Sequence, residues 1–249
     1  MKILLAVIAV LCLVGLISGS KADRGKPKPV APQPPTIHTV AHKTPLPKVD
    51  IDFKPNFHGT PGHGLEDSGF ERWRIDAGQA GERALARVIA GARWADDVDV
   101  FFSLAVPGFD NIDVDCAVLS GRDLWLLDAK RYTVRPDAAY TCYGGDGTTL
   151  YLRALDKDGH PTGPVLGEHH ISRSTAMARQ AFAERFPMLT IHSATLLTPS
   201  DDDYPAIAMD AVDATGNRFG DADRYVSRMT VSGGTNDPGI VRVLEALCK

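Results

Sequence analysis

Cysteine is scarce in this chain, with four thiols in 249 residues. Cys12, Cys116, Cys142 and Cys248 are too scattered to form a disulfide framework, which fits a reduced environment. Cys12 lies in an apolar run and lacks the small preceding residue usual at a lipidated cysteine. An excess of positive charge is also missing. The net charge of −4 excludes a protein that coats nucleic acid by bulk electrostatics and leaves room only for a local basic patch. There is no internal repeat. Apolar residues are not lacking. Their share of 44% is that of a globular protein, and the length suits one well-buried domain with appendages.

Charge is absent from Ile3 to Gly19, an apolar run short for a membrane span and slightly long for a signal-peptide core. Lys21, Arg24, Lys26 and Lys28 follow it, whereas only Lys2 and the amino terminus precede it. Positive flanks stay cytoplasmic, so residues 1–20 are expected to be a single-pass cell-membrane anchor with the C-terminal domain in the cytoplasm. Ser20-Lys21-Ala22 fits a cleavage site and keeps a secreted form as the alternative.

Residues 21–69 are rich in Pro, Lys, His and Gly and read as an extended linker. His58 and His63 flank a Gly-Thr-Pro-Gly turn. With no third ligand at a suitable spacing, they are taken as part of a polar loop. The folded domain is expected over residues 70–249. Asp76 is placed as the N-cap of a helix reaching Ala92, with Leu85, Val88, Ile89 and Ala92 on one buried stripe. Strands are expected at Val98–Leu104, Ile112–Ser120 and Asp123–Lys130. A turn-rich stretch, residues 136–167, should hold a small hairpin around Tyr151 and Val165. A helix over residues 171–186, a strand over 191–198 and a last helix opened by Asp237-Pro238 complete the chain.

The chemistry gathers at the hairpin. Gly121-Arg122 suits a two-residue turn with glycine first. If Ser120 and Asp123 close it, Asp115 faces Asp128 and Asp113 faces Lys130, with opposed Cβ atoms about 5 Å apart. Alternation puts Lys130 on the face of Asp128. Both strands are otherwise apolar and should be covered on both sides, so three acids and a lysine there need compensation. A divalent cation supplies it and gives two acids a reason to face each other. Glu82, one turn before Leu85 on the inward side of the first helix, is a further ligand or a partner for Lys130 or Arg131. Set against this is an ordinary ion-pair network along an edge strand.

Gly78-Gln79-Ala80-Gly81-Glu82, Asn111-Ile112-Asp113-Val114-Asp115 and Leu126-Leu127-Asp128-Ala129-Lys130-Arg131-Tyr132 together resemble the nuclease-related (NERD) domain. That family is similar to the restriction-endonuclease-like nucleases with the PD-(D/E)xK signature. The likeness covers residues 75–198, and more loosely the later helix with Gln180. It implies an α/β fold with an αβββαβ core and a mixed sheet flanked by helices, phosphodiester hydrolysis, and Mg2+ or Mn2+. Carried over, Asp115 is the acid of the second core strand, Asp128 and Lys130 the D/E-x-K pair, and Glu82 the helix acid; Asp115, Asp128 and Glu82 are the expected metal ligands. The chain departs in having Asp128 where Glu is commoner and Cys116 where His is frequent. Asp113 leaves the choice of second-strand acid open, though the hairpin register favours Asp115.

Oxygen ligands without thiolate point to a hard cation. Arg72, Arg74, Arg131 and Arg135 are candidate nucleic-acid contacts, with DNA expected over RNA. A catalytically silent binding or docking module at the membrane, acting in phage exclusion or DNA uptake, is the other functional expectation. Three features are set aside. His169-His170 reads as a loop or capping pair, Asp201-Asp202-Asp203 as a solvated turn lacking calcium-loop spacing, and Met177, Phe182 and Phe186 as core positions.

Overall fold

A computed structural model describes residues 54–65, 69–132, 137–142, 149–158, 160–170, 173–199, 211–212 and 216–249. Ile3–Gly19, Asp201–Asp203 and Arg135 therefore lie outside the described residues. Among the described residues, no helix is long and apolar enough to cross a membrane. The chain is α/β, with a mixed sheet flanked by helices. Strands β1 (Phe57–His58), β2 (Asp99–Ala105), β3 (Asp113–Ser120), β4 (Asp123–Tyr132), β8 (Thr190–Pro199), β9 (Ala211–Val212) and β10 (Arg218–Asp221) form one sheet in the order β1-β2-β3-β4-β8-β10-β9. β2, β3 and β4 are antiparallel neighbours, whereas β8 runs parallel to β4.

Helices cover both faces, as apolar strands of this kind require. Helix α1 (Arg72–Ala90) puts Leu85, Ala86 and Ile89 against Val100, Phe102, Cys116, Val118, Trp125 and Leu127, and α3 (Ala222–Arg228) adds Ala222 and Val226. On the other face α2 (Ser174–Arg185) and α4 (Pro238–Glu245) place Ala178, Phe182 and Leu244 against Phe101, Leu104, Leu119, Leu124 and Leu126. Asp237 caps α4 by accepting from Gly239 N and Ile240 N, with Pro238 in the first turn, as the sequence indicates.

Four expectations are corrected. The folded unit reaches back into the stretch read as linker, where β1 adds to β2 through Phe57 opposite Val100 and His58 opposite Phe101. His58 is no loop residue: it stacks on Phe101 and bridges Asp99 at 3.1 Å and Glu245 at 2.8 Å. Helix α1 starts a turn before Asp76, which instead pairs with Arg72 at 3.0 Å. The hairpin expected around Tyr151 and Val165 is present as β6 (Thr149–Leu155) antiparallel to β7 (Pro161–His170), with β5 (Ala138–Cys142) as a third strand, but β7 runs on to His170, so His169 and His170 are strand residues rather than a loop pair. His169 stacks on Tyr132 with ring centroids 4.4 Å apart, and His170 Nδ1 lies 3.1 Å from Thr149 Oγ1. Phe182 and Phe186 are core as expected, whereas Met177 is 40% exposed.

Candidate active site

The turn of the hairpin sets its register. Gly121 has φ +59°, the left-handed conformation that suits the first position of a tight hairpin turn, and Ser120 pairs with Asp123. The ladder then runs, as the turn dictates, through Leu119–Leu124, Val118–Trp125 and Ala117–Leu126 to Cys116–Leu127. There it stops, one step short of Asp115 and Asp128. Beyond that point β4 stays paired with β8 as far as Tyr132 opposite Pro199, while β3 stays with β2 at Val114 and Asp113. The sheet forks, and the two acids stand at its branch point.

A matching irregularity in β2 accompanies the fork. Ser103 has φ +52°, uncommon for a residue with a side chain, and the ladder pair it would make with Asp115 is missing between Phe102–Cys116 and Leu104–Val114. Side-chain alternation slips by one on both strands here. Val100 and Phe102 face the α1 core but Leu104 the α2 core, and Cys116 and Val118 face the α1 core but Val114 the α2 core.

The carboxylates gather in the fork with one cation. Asp115 Oδ2 accepts from Ala129 N at 2.6 Å, so a side chain takes an N–H on β4 that a ladder carbonyl would otherwise hold. Lys130 Nζ donates to Asp128 Oδ1 at 2.7 Å. Asp128 Oδ2 is buried without a hydrogen-bond partner. Glu82, 6% exposed, enters from α1, and its Oε2 accepts from Gly62 N at 2.8 Å. Gly81 permits this approach, since a Cβ there would come within 3.1 Å of Arg131 Cβ and 3.3 Å of Thr198 Oγ1.

Electrostatics binds these groups together. Burial pushes the Glu82 carboxyl up to about 7; Asp113 and Asp128 add to the rise, while Gly62 N–H and Lys130 oppose it. Asp115 is raised well above the usual carboxylate range, first by burial and then by Asp128 and Glu82. Burial alone would depress Lys130, but Asp128 and Asp115 outweigh it and hold the ammonium above its ordinary value. One lysine faces the buried Glu82 and the partly buried Asp115 and Asp128, so the acids it does not neutralise are pushed toward taking up protons or a cation.

The structure brings together Glu82, Asp115, Asp128 and Lys130. Asp113 does not meet Lys130 but lies 3.6 Å from Lys249 Nζ. Arg131 packs beside Gly81 on β4. Arg72 and Arg74 sit at the start of α1, about 12–15 Å along the helix axis from Glu82. Their partners are Asp76 at 3.0 Å and Glu71 at 3.8 Å. Gln180 on α2 donates to Glu184 Oε1, one turn further along the same helix, at 2.9 Å, and takes no part in the fork.

Among the described residues, no three His, Cys, Asp or Glu side chains are arranged to hold a metal ion by themselves. With Oε2 committed to the Gly62 N–H, Glu82 does not complete such a set beside Asp115 and Asp128, and its other oxygen is the one left to face a cation or its waters. The donor set still suits a hard cation that keeps most of its waters and takes one or two carboxylates plus substrate oxygens, as Mg2+ does. The unpartnered Asp128 Oδ2 is the atom that calls for such a partner. Sequence reasoning gave no role to Gly62, Gln79 or Ser103; the signals were the glycine spacing around Gly62, which reads equally well as a loop, and the place of Gln79 in the Gly78–Glu82 motif. Comparison of the chain with protein-family models, curated proteins and solved structures finds no match.

Proposed function

We propose that the fork is the active site of a divalent-metal-dependent nuclease acting on DNA. The observation that carries this reading is the buried, unpartnered Asp128 Oδ2 beside Asp115, whose own carboxyl is pushed upward by burial and by the neighbouring acids. Adjacent buried acids with a single lysine are costly unless a cation joins them. The likeness to the NERD domain, and through it to a restriction-endonuclease-like αβββαβ core, supports the same reading.

In this mechanism Asp115 and Asp128 would hold Mg2+ or Mn2+, which when bound supplies Lewis-acid polarisation of the scissile phosphate and lowers the pKa of attacking water. Lys130, anchored on Asp128 at 2.7 Å, directs an ammonium at the charge developing on the phosphate oxygens. Glu82 adds negative potential that raises cation affinity, and its position near the ordinary pH range lets it accept a proton from water. Among the described arginines proposed here, Arg131 is the nearest to this site and is assigned a phosphate contact. Arg72 and Arg74 are assigned to more distant phosphates. Tethering through residues 3–19 would present the site to nucleic acid at the membrane.

The test is incubation of the full chain with plasmid, linear and single-stranded DNA and with RNA, with and without Mg2+ or Mn2+. Cation-dependent DNA cleavage that drops on the order of 100-fold or more in Asp128→Ala and Lys130→Ala is expected. No cleavage of any substrate, or equal cleavage by both variants, would sink the reading. A silent binding module is favoured by one observation, the missing three-ligand set among the described residues. It predicts DNA retention that falls steeply with salt and needs no cation.

A further inference from the structure

Residues 59–65, Gly-Thr-Pro-Gly-His-Gly-Leu, cross the molecule between β1 and α1 with little regular structure beyond one short 3-10 turn. Their attachments converge on the fork. Ser103 Oγ donates to Thr60 O at 2.9 Å, from the strained residue whose ladder position faces Asp115. Gly62 is gripped from both ends of its peptide units: its N–H goes to Glu82 Oε2 at 2.8 Å, and its carbonyl accepts from Gln79 Nε2 at 3.1 Å. Gln79 is itself 8% exposed. Gly62 has φ +86°, and a Cβ there would come within 3.2 Å of the Gln79 Cα. At Gly64 a Cβ would collide with the Asp113 carboxylate. The backbone thus lies directly against a glutamine and two acids, with no side chain to keep it off.

A plain surface loop does not need this arrangement. Loops satisfy their backbone groups with water or with their own turns. Here a buried glutamine and a buried glutamate on successive inward positions of α1 clasp one glycine. Fixing Glu82 Oε2 on the Gly62 N–H also fixes where the second oxygen of that carboxylate lies. Supporting contacts of this kind orient the groups that meet a cation or substrate, and removing them weakens affinity without altering a ligand.

We propose that residues 59–65 are a positioning strap of the carboxylate site, and that Gln79 is a positioning residue acting through Gly62 on Glu82. The proposal rests on the fork being the functional site. The strap, clamped by Gln79 and moored at Thr60 by Ser103, delivers one N–H to Glu82 and holds its carboxylate at the fork rather than leaving it to pair freely with Lys130.

The experiment uses the full chain and two readouts. Exchange of the Gly62 amide, followed by NMR, reports the clamp without any cation. Titration with Mn2+ alone reports the site. Gln79→Met, which keeps the length of the side chain but not its donor, is expected to speed Gly62 exchange at least tenfold while Leu126 exchange stays unchanged, and to weaken Mn2+ binding about tenfold. Ser103→Gly, which removes the hydroxyl mooring and eases the backbone, should shift both readouts in the same direction by less, and keeps the test open if Gln79→Met fails to fold. Unchanged Gly62 exchange, acceleration matched at Leu126, or faster exchange with unaltered Mn2+ affinity would each overturn the strap. If the unaltered chain binds no Mn2+ and cleaves nothing, the nuclease reading alone fails, and the clamp is then decided by the exchange of Gly62 against Leu126.

Discussion

The two halves of the β3–β4 hairpin differ in every physical respect although they share two strands. Toward the turn, Ala117, Leu119, Leu124 and Leu126 are fully buried, every pair is in register, and Asn236 staples the bend by accepting from Gly121 N at 2.6 Å and donating to Leu119 O at 3.0 Å. Toward the fork the ladder is broken, an acid side chain takes a backbone N–H, and one acid oxygen has no partner. The first half stores stability. The second spends it to hold charge together, the usual pattern where a fold departs from local consistency.

The sharpest way to break this comparison is at the apolar half. Leu126 is 0% exposed, so Leu126→Ala should cost about 2–5 kcal/mol through lost transfer energy and the cavity left behind. Urea unfolding measures it, with cleavage per folded molecule unaffected. A cost below about 1 kcal/mol would mean that the turn half is not the anchor of the hairpin.

At the fork half, pH should act in the direction opposite to common acid denaturation. The Glu82 carboxyl is raised from 4.5 to about 7, so the folded state holds this proton more tightly than the unfolded chain does. Without cation, stability should be greatest below about 4.5 and fall as pH rises toward 7. For Glu82 alone the loss is on the order of 3 kcal/mol. Asp115 is raised as well and adds in the same sense. Lys130 is also raised, and as a base it keeps its contribution throughout this window. Thermal melts at intervals across the range, with and without Mg2+, read the slope. Cation should flatten it, and cation-free stability that climbs between those pH values would contradict the picture of uncompensated acids.

The same contrast explains what the sequence could and could not disclose. The register was legible because a two-residue Gly121-Arg122 turn leaves few ways to align the strands. Alternation and helical spacing pointed to Asp128, Lys130 and Glu82, but the pairing of Asp115 across from Asp128 expected from the register is not made, because the ladder ends at Cys116–Leu127. The fork was not legible, because it depends on Ser103 adopting a left-handed backbone, and serine carries no signal for that. Nor was the strap. Its glycines look like linker composition, and only tertiary contact shows that Gly62 lies against Gln79 and Glu82. His169 and His170 were misplaced because a ten-residue strand containing Pro161, Gly163, Pro164 and Gly167 reads locally as a loop.

Two glycines, Gly121 in the turn and Gly81 on α1 where it packs against the fork half, give the finest comparison. Gly121→Ala meets nothing closer than Ser232 Oγ at 3.6 Å, so its cost is conformational, about 1 kcal/mol for a side chain at φ +59°. Gly81→Ala gains helix propensity of about 1 kcal/mol. It presses a methyl to 3.1 Å from Arg131 Cβ and 3.3 Å from Thr198 Oγ1, tighter than α1 and β4 accept without yielding. The two terms should nearly cancel in stability, while α1 backs away from β4 and carries the adjacent Glu82 with it. Misplacement by a fraction of an ångström should lower cleavage on the order of tenfold. Melting and cleavage measured on both variants separate the halves: Gly121→Ala should lose stability and keep cleavage, and Gly81→Ala should keep stability and lose cleavage. If Gly81→Ala cleaves as the unaltered chain does, the close approach of α1 to β4 serves packing alone.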